Sequence, residues 1–139
     1  MNTSTTDSTS ARRRSRLAGN ALTALAALFL AFDTVMKVLQ LAPAVDATVA
    51  LGYPIGTVAV IGAIELACLV LYLVPQTSVF GAVVMTGYLG GAIATHVRIG
   101  SPLPSHTLFP IYVALILWGG LYLREPRLRA LLPFRQTPA

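Results

Sequence analysis

Charged residues are scarce in this sequence. Asp, Glu, Lys and Arg make up only 11% of the chain, whereas a water-soluble domain usually contains about 25%. Because a soluble domain covers its core with charged side chains, this scarcity excludes an ordinary water-soluble globule. Apolar residues make up 55% of the chain, and the mean hydropathy is +0.73. Lipid is therefore the predicted solvent for most of the chain.

Cysteine is almost absent as well. The single cysteine, Cys68, excludes an intramolecular disulfide and any zinc or iron–sulfur site built from clustered cysteines. The sequence also has no Gly-rich phosphate loop and no Ser-His-Asp pattern. No other ligand spacing indicates a metal, so we predict no metal site and no covalently bound cofactor. We do not expect an autonomous enzyme.

The basic residues lie mostly at the two ends of the chain. The formal net charge is +5, which in a soluble protein would point to nucleic acid as a partner. Eight of the ten bases, however, flank the apolar part of the chain: Arg12, Arg13, Arg14, Arg16, Arg124, Arg127, Arg129 and Arg135. Arginines placed in this way indicate membrane topology, with both termini cytoplasmic, and no nucleic-acid partner.

Long apolar runs occupy most of the remaining sequence, at residues 17–39, 55–74, 78–97 and 107–123. A helix rises about 1.5 Å per residue, so runs of this length cover the roughly 30 Å of a hydrocarbon core. The sequence therefore predicts an all-α integral membrane protein with four transmembrane helices in an antiparallel bundle.

The connections between these runs are short and carry helix-breaking residues. Pro75 opens a four-residue link between the second and third runs, which predicts an antiparallel helical hairpin. Residues 44–51 lie between Pro43 and Gly52 and are too few to cross a bilayer. We predict that they form a short interfacial helix between the first two transmembrane helices.

Three regions follow from this pattern. Residues 1–16 are rich in Ser and Thr and should be a disordered, basic cytoplasmic tail. Residues 17–124 form the transmembrane domain, and residues 125–139 form a second basic cytoplasmic tail. Alternatively, the first apolar run is a cleaved signal peptide. That run is longer than the usual 7 to 15 residues, roughly, of a signal-peptide core, and Asp33 and Lys37 precede the small residues at 42–44.

Charged side chains inside the predicted spans are the candidate functional residues, because such groups are costly in lipid. Asp33 and Lys37 stand four residues apart near the end of the first helix, and Glu65 lies near the middle of the second. Counting helical rise from the helix ends places these groups in the outer half of the membrane, around one polar cavity. Its candidate residues are Asp33, Lys37, Glu65, Thr95, His96 and Arg98. They could alternatively be buried ion pairs that only fix the register of the helices.

Small and aromatic residues within the spans are expected to have structural roles. The spacing of Gly87, Gly90 and Gly91 is typical of close helix packing in lipid. The aromatic residues are predicted as anchors at the membrane interface: Tyr53, Tyr72, Tyr88, Trp118 and Tyr122.

Several short motifs together resemble one family of small bacterial membrane proteins. They are Phe32-Asp33 with Lys37, Leu51-Gly52-Tyr53-Pro54, Gly62 with Glu65-Leu66, Leu71-Tyr72-Leu73-Val74-Pro75, Thr86-Gly87-Tyr88-Leu89-Gly90-Gly91-Ala92, Thr95-His96-Val97-Arg98 and Trp118-Gly119-Gly120-Leu121. The chain resembles the DoxX-like family over roughly residues 18–133.

This resemblance implies a location and a role. It implies a multi-pass protein of the bacterial cytoplasmic membrane that acts as an accessory subunit of a membrane redox system. A membrane quinone or a small sulfur compound would be the ligand, and a redox protein or a second copy of the chain the partner beside the lipid bilayer. The alternative is a small-solute transporter or a lipid-binding protein that uses the same polar cavity.

Overall fold

The computed structural model describes residues 3–131, and only the backbone of residues 3–9, 11 and 131. Every regular element in this range is helical. The α-helices are α1 (Thr3–Val38), α2 (Ala42–Ala50), α3 (Val58–Leu73), α4 (Ser78–Arg98), α5 (Phe109–Arg124) and α6 (Pro126–Leu131). A short 3-10 helix, Ile55–Thr57, precedes α3, and a π-helical turn, Leu103–Thr107, precedes α5.

Four helical segments within the described range are long and apolar enough to cross a membrane. They are Arg12–Val38, Ile55–Leu73, Ser78–Arg98 and Leu103–Arg124. The predicted fold class, an all-α membrane bundle with four spans, is confirmed. The four helices form a ring in which α1 packs against α3, α3 against α4, α4 against α5, and α5 against α1. The centre of this ring is filled by large, fully buried side chains, among them Leu30, Tyr72, Met85, Leu117 and Leu121.

A short helix joins the first two spans, as the sequence predicts. Proline occupies the first turn of α2, where its missing N–H is not needed. After the helix ends, Gly52 adopts φ +86°, a left-handed conformation that favours glycine, and its N–H donates to the carbonyl of Val49 at 2.8 Å. The chain thereby turns back towards the bundle and enters α3.

The first helix is longer than the sequence predicts. It begins at Thr3 and has 36 residues, so its length of about 54 Å exceeds the membrane core. The predicted disorder of residues 1–16 is therefore wrong from Thr3 onward. Polar composition shows that these residues cannot be buried in a core, but adding turns to an existing helix requires no new nucleation. Ser15 also ties this segment to the other end of the chain, since its hydroxyl donates to the carbonyl of Leu123 at 3.3 Å and accepts from Arg129 at 2.7 Å.

The second predicted tail begins as a helix. In α6, Leu128 is buried while Arg127 and Arg129 are exposed. The rest of this predicted tail, residues 132–139, lies outside the described residues.

Helix packing uses other glycines than those predicted. A Cβ atom built on Gly87, Gly90 or Gly91 would meet no described atom within 4 Å. The predicted packing role of these three residues is therefore wrong within this chain, because the spacing of glycines marks an accessible backbone and not the side on which a neighbour lies. The close approaches occur at Gly19 and Gly120 between α1 and α5, at Gly62 between α1 and α3, and at Gly81 between α3 and α4.

Candidate functional site

A cluster of charged and polar side chains from three helices surrounds the ammonium group of Lys37. Its Nζ lies 2.5 Å from Asp33 Oδ2, one turn earlier on α1, and 2.9 Å from Glu65 Oε2 on α3. It also donates to the hydroxyl of Tyr88 on α4 at 2.9 Å. We call Asp33, Lys37, Glu65 and Tyr88 the Lys37 cluster. The three hydrogens of the ammonium thus meet oxygens from three different helices.

Tyr88 is the member of the cluster that the sequence interpretation missed. It lies midway along the 21 residues of α4, so its predicted role as an interfacial anchor is wrong. Its hydroxyl donates to Glu65 Oε2 at 2.8 Å. The position in the middle of a span is the signal that could have identified it, because a phenol surrounded by lipid must find a hydrogen-bond partner inside the protein.

Glycine places Lys37 against Glu65. A Cβ on Gly62, one turn before Glu65, would overlap the Cβ of Lys37 and the backbone of Val38. The absence of that atom lets α1 and α3 approach closely at the level of the cluster. The side chain of Glu65 is fully buried there, with 0% exposure, whereas that of Asp33 remains 37% exposed.

The positive and negative charges within the Lys37 cluster do not cancel. Two carboxylates and one ammonium give it a net charge of −1 when all three are ionised. The second carboxylate oxygen of Glu65, Oε1, is buried without a hydrogen-bond partner among the described residues. Leaving such an acceptor unsatisfied costs about 1 to 3 kcal/mol, more for a charged group. Oε1 is therefore the carboxylate oxygen of Glu65 whose hydrogen bond the described residues do not supply.

A large cavity opens beside the cluster. Its volume is about 780 Å³, within the range of roughly 300 to 1,000 Å³ that is usual for small-molecule sites. Most of its wall is apolar and includes Phe29, Leu30, Ile61, Ile64 and Leu89. The polar part of the wall contains Tyr88 and five of the six predicted site residues, namely Asp33, Lys37, Glu65, Thr95 and His96.

Arg98 is the predicted site residue that lies elsewhere. It does not belong to the cavity wall, and its guanidinium donates to the carbonyl of Leu51 at 2.5 Å, at the end of α2. Its predicted place in the polar cavity is wrong. The last carbonyls of a helix lack partners within the helix and carry partial negative charge, so they attract a nearby arginine.

A second polar group lines the cavity towards the end of α4. The hydroxyls of Tyr53 and Thr95 lie 2.8 Å apart, and Thr95 also donates to the carbonyl of Gly91 at 2.9 Å. Nearby, the rings of His96 and His106 meet edge to face with centroids 5.8 Å apart. Nδ1 of His96 lies 3.0 Å from the hydroxyl of Ser101.

No arrangement of metal ligands is found in the described part of the chain, where no three His, Cys, Asp or Glu side chains are grouped closely enough to hold an ion. Cys68 is buried one turn after Glu65. The chemistry available at the cavity is therefore that of the Lys37 cluster, the two histidines and the hydroxyl groups.

The fold and the site together define a small four-span membrane protein with an acid–base cluster in the wall of an intramembrane cavity. A comparison with protein families matches residues 21–120 to the DoxX-like family, a range that includes the whole Lys37 cluster. The chain belongs to the DoxX-like family, and the resemblance of its motifs is confirmed. No curated protein and no solved structure matches the chain.

Proposed function

We propose that this chain is an accessory subunit of a membrane redox system and that its cavity holds the head group of a membrane quinone. The observation that carries this proposal is the Lys37 cluster, whose buried oxygen Glu65 Oε1 has no partner among the described residues, in the wall of an apolar cavity of about 780 Å³. A membrane quinone combines an apolar ring with two oxygens, which accept hydrogen bonds as carbonyls in the oxidised form and donate them as hydroxyls in the reduced form. These features match a mostly apolar wall that contains polar groups.

A purely structural ion pair would be expected to have all its hydrogen-bonding groups paired within the protein. Buried pairs that only fix helix register are stable when every lone pair and proton is satisfied. Here one carboxylate oxygen of Glu65 has no hydrogen-bond partner among the described residues, and Asp33 lines the cavity with 37% of its side chain exposed. These features favour a site whose polar groups are completed by a ligand.

Electrons exchanged with a bound quinone would have to pass to another protein, because the sequence has one cysteine and no flavin or haem motif. A redox partner protein is therefore part of the proposed function. The protein would lie in the bacterial cytoplasmic membrane with both termini cytoplasmic, as the terminal arginines favour. In that orientation the Lys37 cluster lies in the outer half of the bilayer.

Two neighbouring glycines offer a matched test. Gly91 lines the cavity and Gly90 does not, and both have open space where a side chain would begin. The protein and its Gly91→Leu and Gly90→Leu variants would be purified in a mild detergent, and the quinones and lipids that remain bound would be quantified by mass spectrometry. We expect quinone with the wild type and Gly90→Leu, and a loss of about tenfold or more with Gly91→Leu. Equal amounts in both variants would contradict the proposed site.

The apolar wall of the cavity also fits a lipid acyl chain or another apolar solute, as a transporter or lipid-binding protein would require. The same measurement separates this alternative. Phospholipid or another solute that is lost from Gly91→Leu, with no quinone in any sample, would favour the alternative over a redox role.

A further inference from the structure

The Lys37 cluster has no hydrogen left for a ligand. The three ammonium hydrogens of Lys37 go to Asp33, Glu65 and Tyr88. The hydroxyl hydrogen of Tyr88 goes to Glu65 Oε2. What the cluster still offers is lone pairs, and those of Asp33 are the most exposed, because its side chain is 37% exposed and lines the cavity.

In the second polar group at the cavity, Tyr53 and Thr95, the hydroxyl hydrogens are also used within the protein. Thr95 donates its hydroxyl hydrogen to the carbonyl of Gly91. In the contact between Tyr53 and Thr95, the hydrogen must therefore come from Tyr53. Both tyrosine hydroxyls in the cavity wall, those of Tyr53 and Tyr88, thus direct their hydrogens into the protein and leave oxygen lone pairs.

From this distribution of hydrogens we infer that the part of the cavity beside Asp33 and Tyr88 selects a neutral ligand that donates hydrogen bonds from its own hydroxyl groups. The histidines of the wall, His96 and His106, contact Ser101 and Ser105 through Nδ1 and do not contact the cluster. If the proposed function holds, on which this inference rests, the site binds the reduced hydroquinone more tightly than the oxidised quinone. A hydroquinone hydroxyl can donate to the carboxylate of Asp33, and hydrogen bonds to a charged acceptor are among the strong ones. A quinone has only acceptors, which would face the lone pairs of the cluster.

The charge of the Lys37 cluster and the apolar wall disfavour charged ligands. The net charge of −1 at the cluster disfavours anions such as sulfur oxyanions. An organic ammonium would be attracted by the negative cluster, but it would have to leave water for a mostly apolar cavity. A neutral hydroxyl compound meets neither obstacle.

Two pairs of probes test this selectivity in nanodiscs. The first pair is a decyl-substituted benzoquinone and its hydroquinone, titrated anaerobically. The second pair, 4-nonylphenol and 4-nonylanisole, differs by one hydroxyl hydrogen and cannot interconvert by redox chemistry. We expect the donor member of each pair to bind about tenfold more tightly, which is the effect of about 1.4 kcal/mol.

Substitution of Asp33 by asparagine keeps the shape of the side chain and adds an amide that can donate. In Asp33→Asn the ratio of hydroquinone to quinone affinity should fall to about one or below. The matched control is Asp46→Asn, since Asp46 is exposed on α2 and is not part of the cavity wall. Its ratio should equal that of the wild type.

The outcomes separate the two levels of the proposal. Equal affinity for both redox forms in the wild type, or tighter binding of the quinone, would overturn the selectivity and leave the quinone site in place. Binding of neither form would remove the quinone site itself, and the inference with it. A wild-type ratio in Asp33→Asn would show that Asp33 is not the acceptor.

Discussion

Lys37 holds three helices together through one ammonium group. Its partners differ in their surroundings, because Glu65 is fully buried and Asp33 is 37% exposed. Breaking a buried ion pair by removing one partner usually costs about 3 to 5 kcal/mol, since the other charge stays buried and unpaired. A pair with a partly exposed partner is worth less, because less of its charge has been removed from a polar environment. The two ion pairs of Lys37 should therefore differ strongly in their effect on stability.

A double-mutant cycle tests this difference. We expect Lys37→Met to destabilise the protein by about 3 to 5 kcal/mol, and Glu65→Gln in the same chain to recover most of that loss. Asp33→Asn added to Lys37→Met should recover much less. Unfolding in detergent, followed by the loss of helical circular dichroism, supplies the free energies.

Arg98 provides the control for the same cycle. Because its guanidinium contacts the carbonyl of Leu51 and not an acid of the cluster, Arg98→Met and Glu65→Gln should be additive within about 0.5 kcal/mol. A coupling above that value would mean that Arg98 belongs to the cluster after all.

Sequence reasoning identified the acids and the base of the site but not their full environment. The spacing of four residues places Asp33 and Lys37 on one face of the helix. Glu65 is a candidate because a charged side chain inside a span is costly unless it is paired or has a function. The contacts of Tyr88 and Arg98 depend on how each helix is rotated about its axis relative to its neighbours. That rotation is set by contacts between helices, such as the contact of Gly62 with Lys37 and Val38. The sequence of one span does not show which residues of another span it contacts.

Among the elements, the contact between α3 and α4 depends on a missing side chain. A Cβ at Gly81 would overlap the backbone of Leu71 and Tyr72, whereas a Cβ at Gly90 would enter open space. Gly81→Ala should therefore lower the free energy of unfolding by about 1 to 3 kcal/mol or more, because the two helices must separate. Gly90→Ala should leave stability unchanged or raise it by up to about 1 kcal/mol, since alanine favours a helix. Thermal unfolding of both variants in detergent checks this, and a reversed order would contradict the packing described.

Element boundaries were predictable where hydropathy changes abruptly. The link between α3 and α4 begins beside Pro75, and α2 ends before Gly52, both as the sequence indicates. The start of α1 was not predictable in this way, because hydropathy reports burial in lipid and helices continue into water. Residues 3–16 extend an existing helix and pack through Ser15.

For the whole molecule, the terminal arginines predict the orientation in the membrane. Single cysteines introduced at Thr5 and Thr137 should resist an impermeant thiol reagent in intact cells, and one at Ser101 should react. The protein without an introduced cysteine serves as the control, since Cys68 is buried and should stay unlabelled. Labelling of both ends from outside would reverse the orientation and move the Lys37 cluster to the inner half of the bilayer.

Photoaffinity labelling tests most directly whether the cavity beside the Lys37 cluster is a quinone site. A membrane quinone that carries an aryl azide on its head group would be cross-linked to the protein in native membranes, and the modified residues mapped by tandem mass spectrometry. We expect adducts at cavity residues such as Phe29, Ile64 and Leu89, which excess unmodified quinone suppresses. Adducts confined to outward-facing side chains such as Leu28 and Leu115, unaffected by competitor, would contradict a quinone site in the cavity.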